Sequence, residues 1–408
     1  MRRAHESPLA LITLFLLAPV TSCDNAPTGP IEEVTPPVDT PAISATLEIS
    51  ATTTGAAFDA DDYVVLVDGV EIGHRLGLID NISVSGEPGQ TMELELTDVA
   101  DNCQVNGPPR RTVTLVDDSV TNASFAVHCV APAGLEGARL VFATGSCDIP
   151  GMMAYHGVCD LYTLPLDGSE GRFLTTEGHS FQPAISADGS TIAFARQSSD
   201  WRTDVYAMDV DGKNPRPITD DGRSWDPSWS PDGTQIVRVY GLAYPGWPGE
   251  LQIWRFDDED ASSLPLPTPA FAPAWSPDGN RIAFTGAGSG NIFTIAPDGH
   301  DAAVLAVGGT GPVWSPASDR LAYGMAGSVF VIGLNGEAGT QLLPGGQETA
   351  WMPTDWAPNG RWIALTRRES AGNDVYLYDV YLLRVDDGTM VRVTQDHRSS
   401  SAVFVPGT

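Results

Sequence analysis

The chain has 408 residues, enough for two or three domains and a sizeable buried core. Its 52 acidic residues outnumber the 22 basic ones and leave a formal net charge of −30, which repels a phosphate backbone. Nucleic acid is therefore not expected among its partners.

Residues 1 to 23, "MRRAHESPLALITLFLLAPVTSC", couple Arg2 and Arg3 to an apolar run from Leu9 to Val20 that is too short to span a bilayer permanently. The pattern predicts an export signal. Its end, "VTSC", resembles the bacterial lipobox, which implies that Cys23 becomes the lipidated first residue of the mature protein, with enough acyl chains for stable anchoring. Residues 24 to 42 are rich in Pro and acid with little to bury, and read as an extended tether. The expected location is the bacterial cell envelope, anchored by lipid and facing the periplasm or the exterior.

Residues 43 to 131 show alternating runs such as "ATLEIS", "YVVLVDGVEIG", "TMELELT" and "RRTVTLVDD", separated by Gly, Asn and Asp turns. Short strands at this spacing predict an immunoglobulin-like β-sandwich. The acidic group Asp59, Asp61 and Asp62 reads as a solvated turn, because no further ligands follow at calcium-loop spacing. Of the 5 cysteines, Cys23 takes lipid and the others suffice for two bridges. Pairing Cys103 with Cys129 and Cys147 with Cys159 keeps each bridge within one domain. Zinc is the rival use, but no CxxC or HExxH spacing supports it.

From residue 132 a unit repeats. "FQPAISADGSTIAFAR", "PSWSPDGTQIVRV", "FAPAWSPDGNRIAF", "GPVWSPASDRLAYGM" and "MPTDWAPNGRWIALTR" each place a Pro-Asp-Gly type turn between two short alternating runs. Second hairpins such as "DVYAMDVDGKNPRPIT" follow them, so each unit holds four strands. The turns recur every 39 to 48 residues from Ala187 through Pro231, Pro277, Pro316 and Pro358 to Pro406, the spacing of propeller blades. Residues 135 to 176 contain three strands of a blade whose innermost strand is missing, and "SAVFV" at 401 to 405 resembles it. The expected fold class is all-β: a six-bladed β-propeller over 132–408, closed on its first blade by the C-terminal strand, behind the small β-sandwich.

These units resemble the TolB-type propeller repeat, also found beside the prolyl oligopeptidase family, and the resemblance covers residues 135 to 408. Two departures touch local turn geometry: "SPAS" lacks the turn glycine, and "PTDWAPNG" carries an extra residue. The prolyl oligopeptidase relatives place a hydrolase with a GxSxG elbow after the propeller. No such domain is expected here, and "GAGSG" at 286 to 290 reads as a hairpin tip.

No catalytic motif or cofactor is expected. The geometry of a propeller points instead to a non-catalytic scaffold that binds an envelope protein, peptide or glycan. The loops entering each innermost strand, with those joining second and third strands, are expected on one face around the channel. They carry His179, Arg223, Trp225, Tyr244, Trp247 and Arg398, with Arg196, Arg202, Arg367, Arg368, Trp201 and Tyr240 nearby. Arg and aromatic residues are enriched at interaction hot spots. Phe181, Trp225, Phe271 and Trp351 occupy similar blade positions and equally suit packing between blades. The alternative is a channel enzyme such as a metal-dependent polysaccharide lyase, since the repeats are also similar to those of oligogalacturonate lyases. That reading needs convergence among His156, His179, His300 and His397, and His300 lies in an outer hairpin.

Overall fold

The computed structural model describes residues 45–55, 58–59, 63–72, 81–99, 103–117, 119–145, 159–167, 169–241, 248–257, 260–334, 338–372 and 375–406. The expected export signal, Cys23 and the tether lie outside them. Every regular element among the described residues is a strand.

Alternation builds the N-terminal part. Along Thr91–Thr97 the side chains of Met92, Leu94 and Leu96 are buried while Thr91 and Glu93 are exposed, as a strand with one wet face requires. Two sheets of four strands result, one ordered Asn81–Gly86, Ala45–Gly55, Val120–Cys129, Cys103–Asn106, the other Val70–Glu71, Val64–Val67, Thr91–Thr97, Arg110–Thr114. Leu47, Ile49, Val65, Leu94 and Phe125 from both sheets share one buried cluster. Each such side chain, fully buried, contributes roughly 1.5–3 kcal/mol. Cys103 and Cys129 face each other across adjacent strands and are joined by a disulfide, as expected.

Between Arg139 and Val405 lie six sheets, each an antiparallel meander of four strands. Their innermost strands are Ser399–Val405, Ser180–Ile185, Ser224–Trp229, Ala270–Trp275, Thr310–Trp314 and Thr349–Trp356, for sheets 1 to 6 in turn. Each of these strands touches the innermost strand of the sheet on either side, so the cycle closes. Sheet 1 is completed as expected, because Leu140 pairs with Phe404 and Val141 with Val403. No open edge remains on that side of Arg139–Gly145.

The repeated turn explains itself. In sheet 3 the Ser230 hydroxyl donates to Asp232 Oδ1 at 2.6 Å, Thr234 N–H donates to the same oxygen at 3.0 Å, and Gly233 takes φ 71°. In sheet 5 "SPAS" makes an equivalent turn: Ser318 adopts φ 57° in place of glycine, and Ser315 reaches the acid one residue later, Asp319, at 2.7 Å. The extra residue of sheet 6 lies between Trp351, paired with Arg367, and Trp356, paired with Ile363.

The two parts are joined. The backbone of Phe58–Asp59 pairs with Met390–Arg392, adding a fifth strand to sheet 6. The Trp362 indole N–H donates to Ala133 O at 3.3 Å, and Leu135 is buried among residues of sheets 1 and 6.

Candidate functional site

Strand register decides which loops share a face. In sheet 2 Ser180 pairs with Arg196, and Gln197 pairs with Thr203. The loop into the first strand and the loop between second and third strands therefore lie at one end, the mouth, while the Pro-Asp-Gly turns lie at the other.

Three mouth loops, 175–179, 219–223 and 394–398, are built alike and lead into sheets 2, 3 and 1. Asp204 Oδ1 accepts the Thr219 hydroxyl at 2.9 Å and Gly222 N–H at 2.8 Å. Asp160 does the same for Thr175 and Gly178, and Asp379 for Thr394 and His397. The clamp ties each loop to the third strand of the preceding sheet. Asn291 and Ser328 hold the shorter loops of sheets 4 and 5 in the same way, accepting Gly308 N–H and Gly345 N–H.

The clamped loops end in His179, Arg223 and Arg398 at equivalent steps, so these residues enter three consecutive sheets and sit together on one half of the mouth. His179 is half-buried at φ 62°, whereas Arg223 and Arg398 are exposed. Neither guanidinium has a hydrogen bond or ion pair among the described residues. Three of the acids beside them are engaged, and Asp220 is exposed. Arg238 holds Asp221 at 2.6 Å, Thr144 and Ser399 hold Asp396, and Arg196 holds Glu177. On the other half, the loops "PLPTP", "VGG" and "PGGQE" carry no cation.

Trp225 is a correction. It was expected at the binding face, but it is 1% exposed and packs with Val239, Leu251 and Ala270 between sheets 3 and 4. Gly241 leaves room for it, since a Cβ there would come within 2.9 Å of its ring. The inter-blade role open to that position is the one realised. Tyr244, Trp247, His156 and Cys147 lie outside the described residues. Cys159 is disulfide-bonded. His397 is exposed with Nδ1 2.9 Å from Asp379 Oδ2, and among the described residues the His300 ring contacts only Asp298 of its own turn. Among the described residues no group of three or more His, Cys, Asp or Glu is placed to hold a metal ion.

Below the mouth runs a central channel of about 520 Å³, lined by the innermost strands of all six sheets. Its walls are mainly Pro, Ala, Ser, Val and Trp, and among the described residues the only charged ones lining it are Asp226 and Asp355. Sequence reasoning missed both. Asp226 Oδ2 accepts Ala272 N–H of sheet 4 at 2.7 Å, and Asp355 Oδ2 accepts Phe404 N–H of sheet 1 at 2.8 Å. Burial pushes Asp226 up to about 6 and Asp355 up to about 7, against the lowering effect of these backbone donors. For Asp226 a signal was present: Gln182, Asp226, Ala272, Gly311 and Met352 all precede a proline at the same step of their strands. Four of them, all but Met352, have positive φ. Ala and Gly occupy that step in sheets 4 and 5, so an acid there is not needed for the strand itself.

No protein-family model matches the chain, and no curated protein matches it. Among solved structures, TolB from Acinetobacter baumannii is similar with a TM-score of 0.54 at 17% identity, over 67% of this chain and 68% of that one. The fold is that of a TolB-like β-propeller. A nidogen/laminin complex is similar over 66% of this chain and 99% of the matched one, with a TM-score of 0.50 at 12% identity. A putative TolB from Agrobacterium tumefaciens gives 0.43 at 21% identity, over 55% and 95%. At such identities the likeness speaks for the fold.

Proposed function

We propose that the chain is a lipid-anchored envelope protein whose propeller binds a protein, peptide or glycan partner at its mouth without transforming it. One observation carries the reading: Arg223 and Arg398 stand exposed at the channel mouth of a chain whose net charge is −30, with neither guanidinium bonded among the described residues, while Asp221, Asp396 and Glu177 beside them are bonded to other groups. Guanidinium groups left free in so acidic a molecule suit a carboxylate on a partner, which each can grip with two hydrogen bonds. Because the background field opposes an anion, selectivity rests on short-range bonds and binding is only weakly salt-dependent. The export signal and lipobox, with the likeness to TolB, support the envelope location.

The test uses immobilised chain and envelope extract, with the captured partner then titrated against variants. Replacing Arg223 and Arg398 by Ala is expected to weaken binding by about 1.5–3 kcal/mol for each charged hydrogen bond lost. Reversing Asp232 and Asp278 at the far end is expected to do little, and the opposite order of effects would sink the proposal. Cys23→Ser is expected to release the protein from membranes; retention without lipid label would place the anchor elsewhere.

A further inference from the structure

A second cavity, of about 290 Å³, opens between sheets 2 and 3 at the end of the ring that carries the turns. Asp188, Arg216, Trp229, Asp232 and Phe256 are among its walls. The register shows what sets it apart. Gln235 pairs with Arg255, so Phe256 is the next residue along, and the same step in the other sheets holds Leu166, Val210, Pro297, Leu334 and Val385. Only sheet 3 places an aromatic ring there. Phe256 stacks on Trp229 with centroids 5.4 Å apart and planes 16° apart. The Trp229 indole N–H donates to Ala184 O of sheet 2 at 3.2 Å, which fixes the ring pair beside the cavity. Trp275, Trp314 and Trp356, at the equivalent step, are 9%, 7% and 4% exposed, whereas Trp229 stays half-buried.

Polar groups complete the wall. Arg216 is exposed, and its guanidinium has no hydrogen bond or ion pair among the described residues. Asp188 and Asp232 are held in place through Oδ1 by the hydroxyls of their own turns, and those bonds keep both carboxyls below the usual range and ionised. Asp232 Oδ2 has no partner among the described residues. An anionic ligand would meet two carboxylates, and a cationic one would meet Arg216. A neutral molecule rich in hydroxyls can donate to the carboxylates and accept from the guanidinium, while its C–H face packs on the aromatic pair.

We propose that this cavity binds a neutral saccharide unit of a glycan. The site is at the opposite end of the ring from the mouth and stands or falls separately from the function proposed above. Calorimetric titration of the full chain with neutral oligosaccharides of glucose, mannose and N-acetylglucosamine is the test, with tryptophan fluorescence as a second readout because Trp229 borders the site. Phe256→Leu installs the residue that sheets 1 and 5 carry there, so the ring is expected to melt as before while binding weakens about tenfold. Arg216→Ala is expected to weaken binding comparably without moving the melting curve, and Arg223→Ala with Arg398→Ala to leave it unchanged. The proposal is overturned if no oligosaccharide of the panel binds, if binding proves confined to acidic or amino sugars, or if Phe256→Leu and Arg216→Ala together leave it intact.

Discussion

The two ends of the ring spend their polar groups differently. At the turn end, Ser186, Ser230, Ser276 and Ser315 each donate to an aspartate of the same turn, and the carboxyls of Asp188, Asp232 and Asp278 are held below their usual range. At the mouth, the aspartate–threonine clamps repeat in the same spirit, but each loop then adds a residue that its clamp does not use. Repetition marks what holds the sheets; departure from it marks what is left over for a partner.

Deleting residues 399 to 408 breaks the comparison most severely, because the strand Ser399–Val405 spans both ends and buries Ala402 and Phe404. Loss of a buried Phe alone costs about 3–5 kcal/mol, and a pairing edge is lost besides, so thermal unfolding should shift by more than any single substitution achieves. An unchanged melting curve would mean that sheet 1 does not need this strand.

The next pair sharpens it. Asp232→Ala is expected to lose about 1–3 kcal/mol of stability, through the bonds from Ser230 and Thr234, and none of the affinity of the mouth for its partner. Arg223→Ala is expected to do the reverse, changing stability by less than about 0.5 kcal/mol. Chemical denaturation alongside titration distinguishes the two, and a single variant that moves both would erase the division between the ends.

Between the ends, the channel acids give a pH signature. Asp355 and Asp226 are raised in the folded state, to about 7 and about 6, so folding retains protons there that the unfolded chain has released. Their contribution is full below the unfolded carboxyl range and is lost as pH rises through 6 and 7. Stability should fall by about 1–2 kcal/mol over that span, the channel's water screening the rest. Asp355→Asn should flatten the upper part of the fall; an identical pH profile would show the carboxyl to be fully hydrated. The smallest effect is at Ala272, which sits at φ 49° where sheet 5 has Gly311 at 61°. Ala272→Gly is expected to gain about 0.5–1 kcal/mol by thermal melting.

The ring is legible in the sequence because a turn that needs Pro, Asp and Gly at fixed steps leaves a mark each time it recurs. Closure by "SAVFV" is legible too, since one unit lacks an inner strand. Trp225 is not, because a residue beside the mouth loop and a residue wedged between two sheets have the same local pattern, "SWDP". What buries it comes from Leu251 and Ala270, remote in sequence. Asp355 stays hidden for the same reason, as its partner Phe404 belongs to the next sheet. The pocket beside Phe256 emerges only once register aligns the third strands.

The pairing of Ser399–Val405 with Arg139–Gly145 also sets an order of events. Three strands of sheet 1 leave the ribosome long before the fourth, and until it comes the inner edge of Arg139–Gly145 has no mate. The loop that must close is nearly the whole ring, so the contact that finishes the cycle is also the one of highest sequence separation within the ring. Folding should therefore end in a single slow cooperative step in which sheet 1 and the ring mature together.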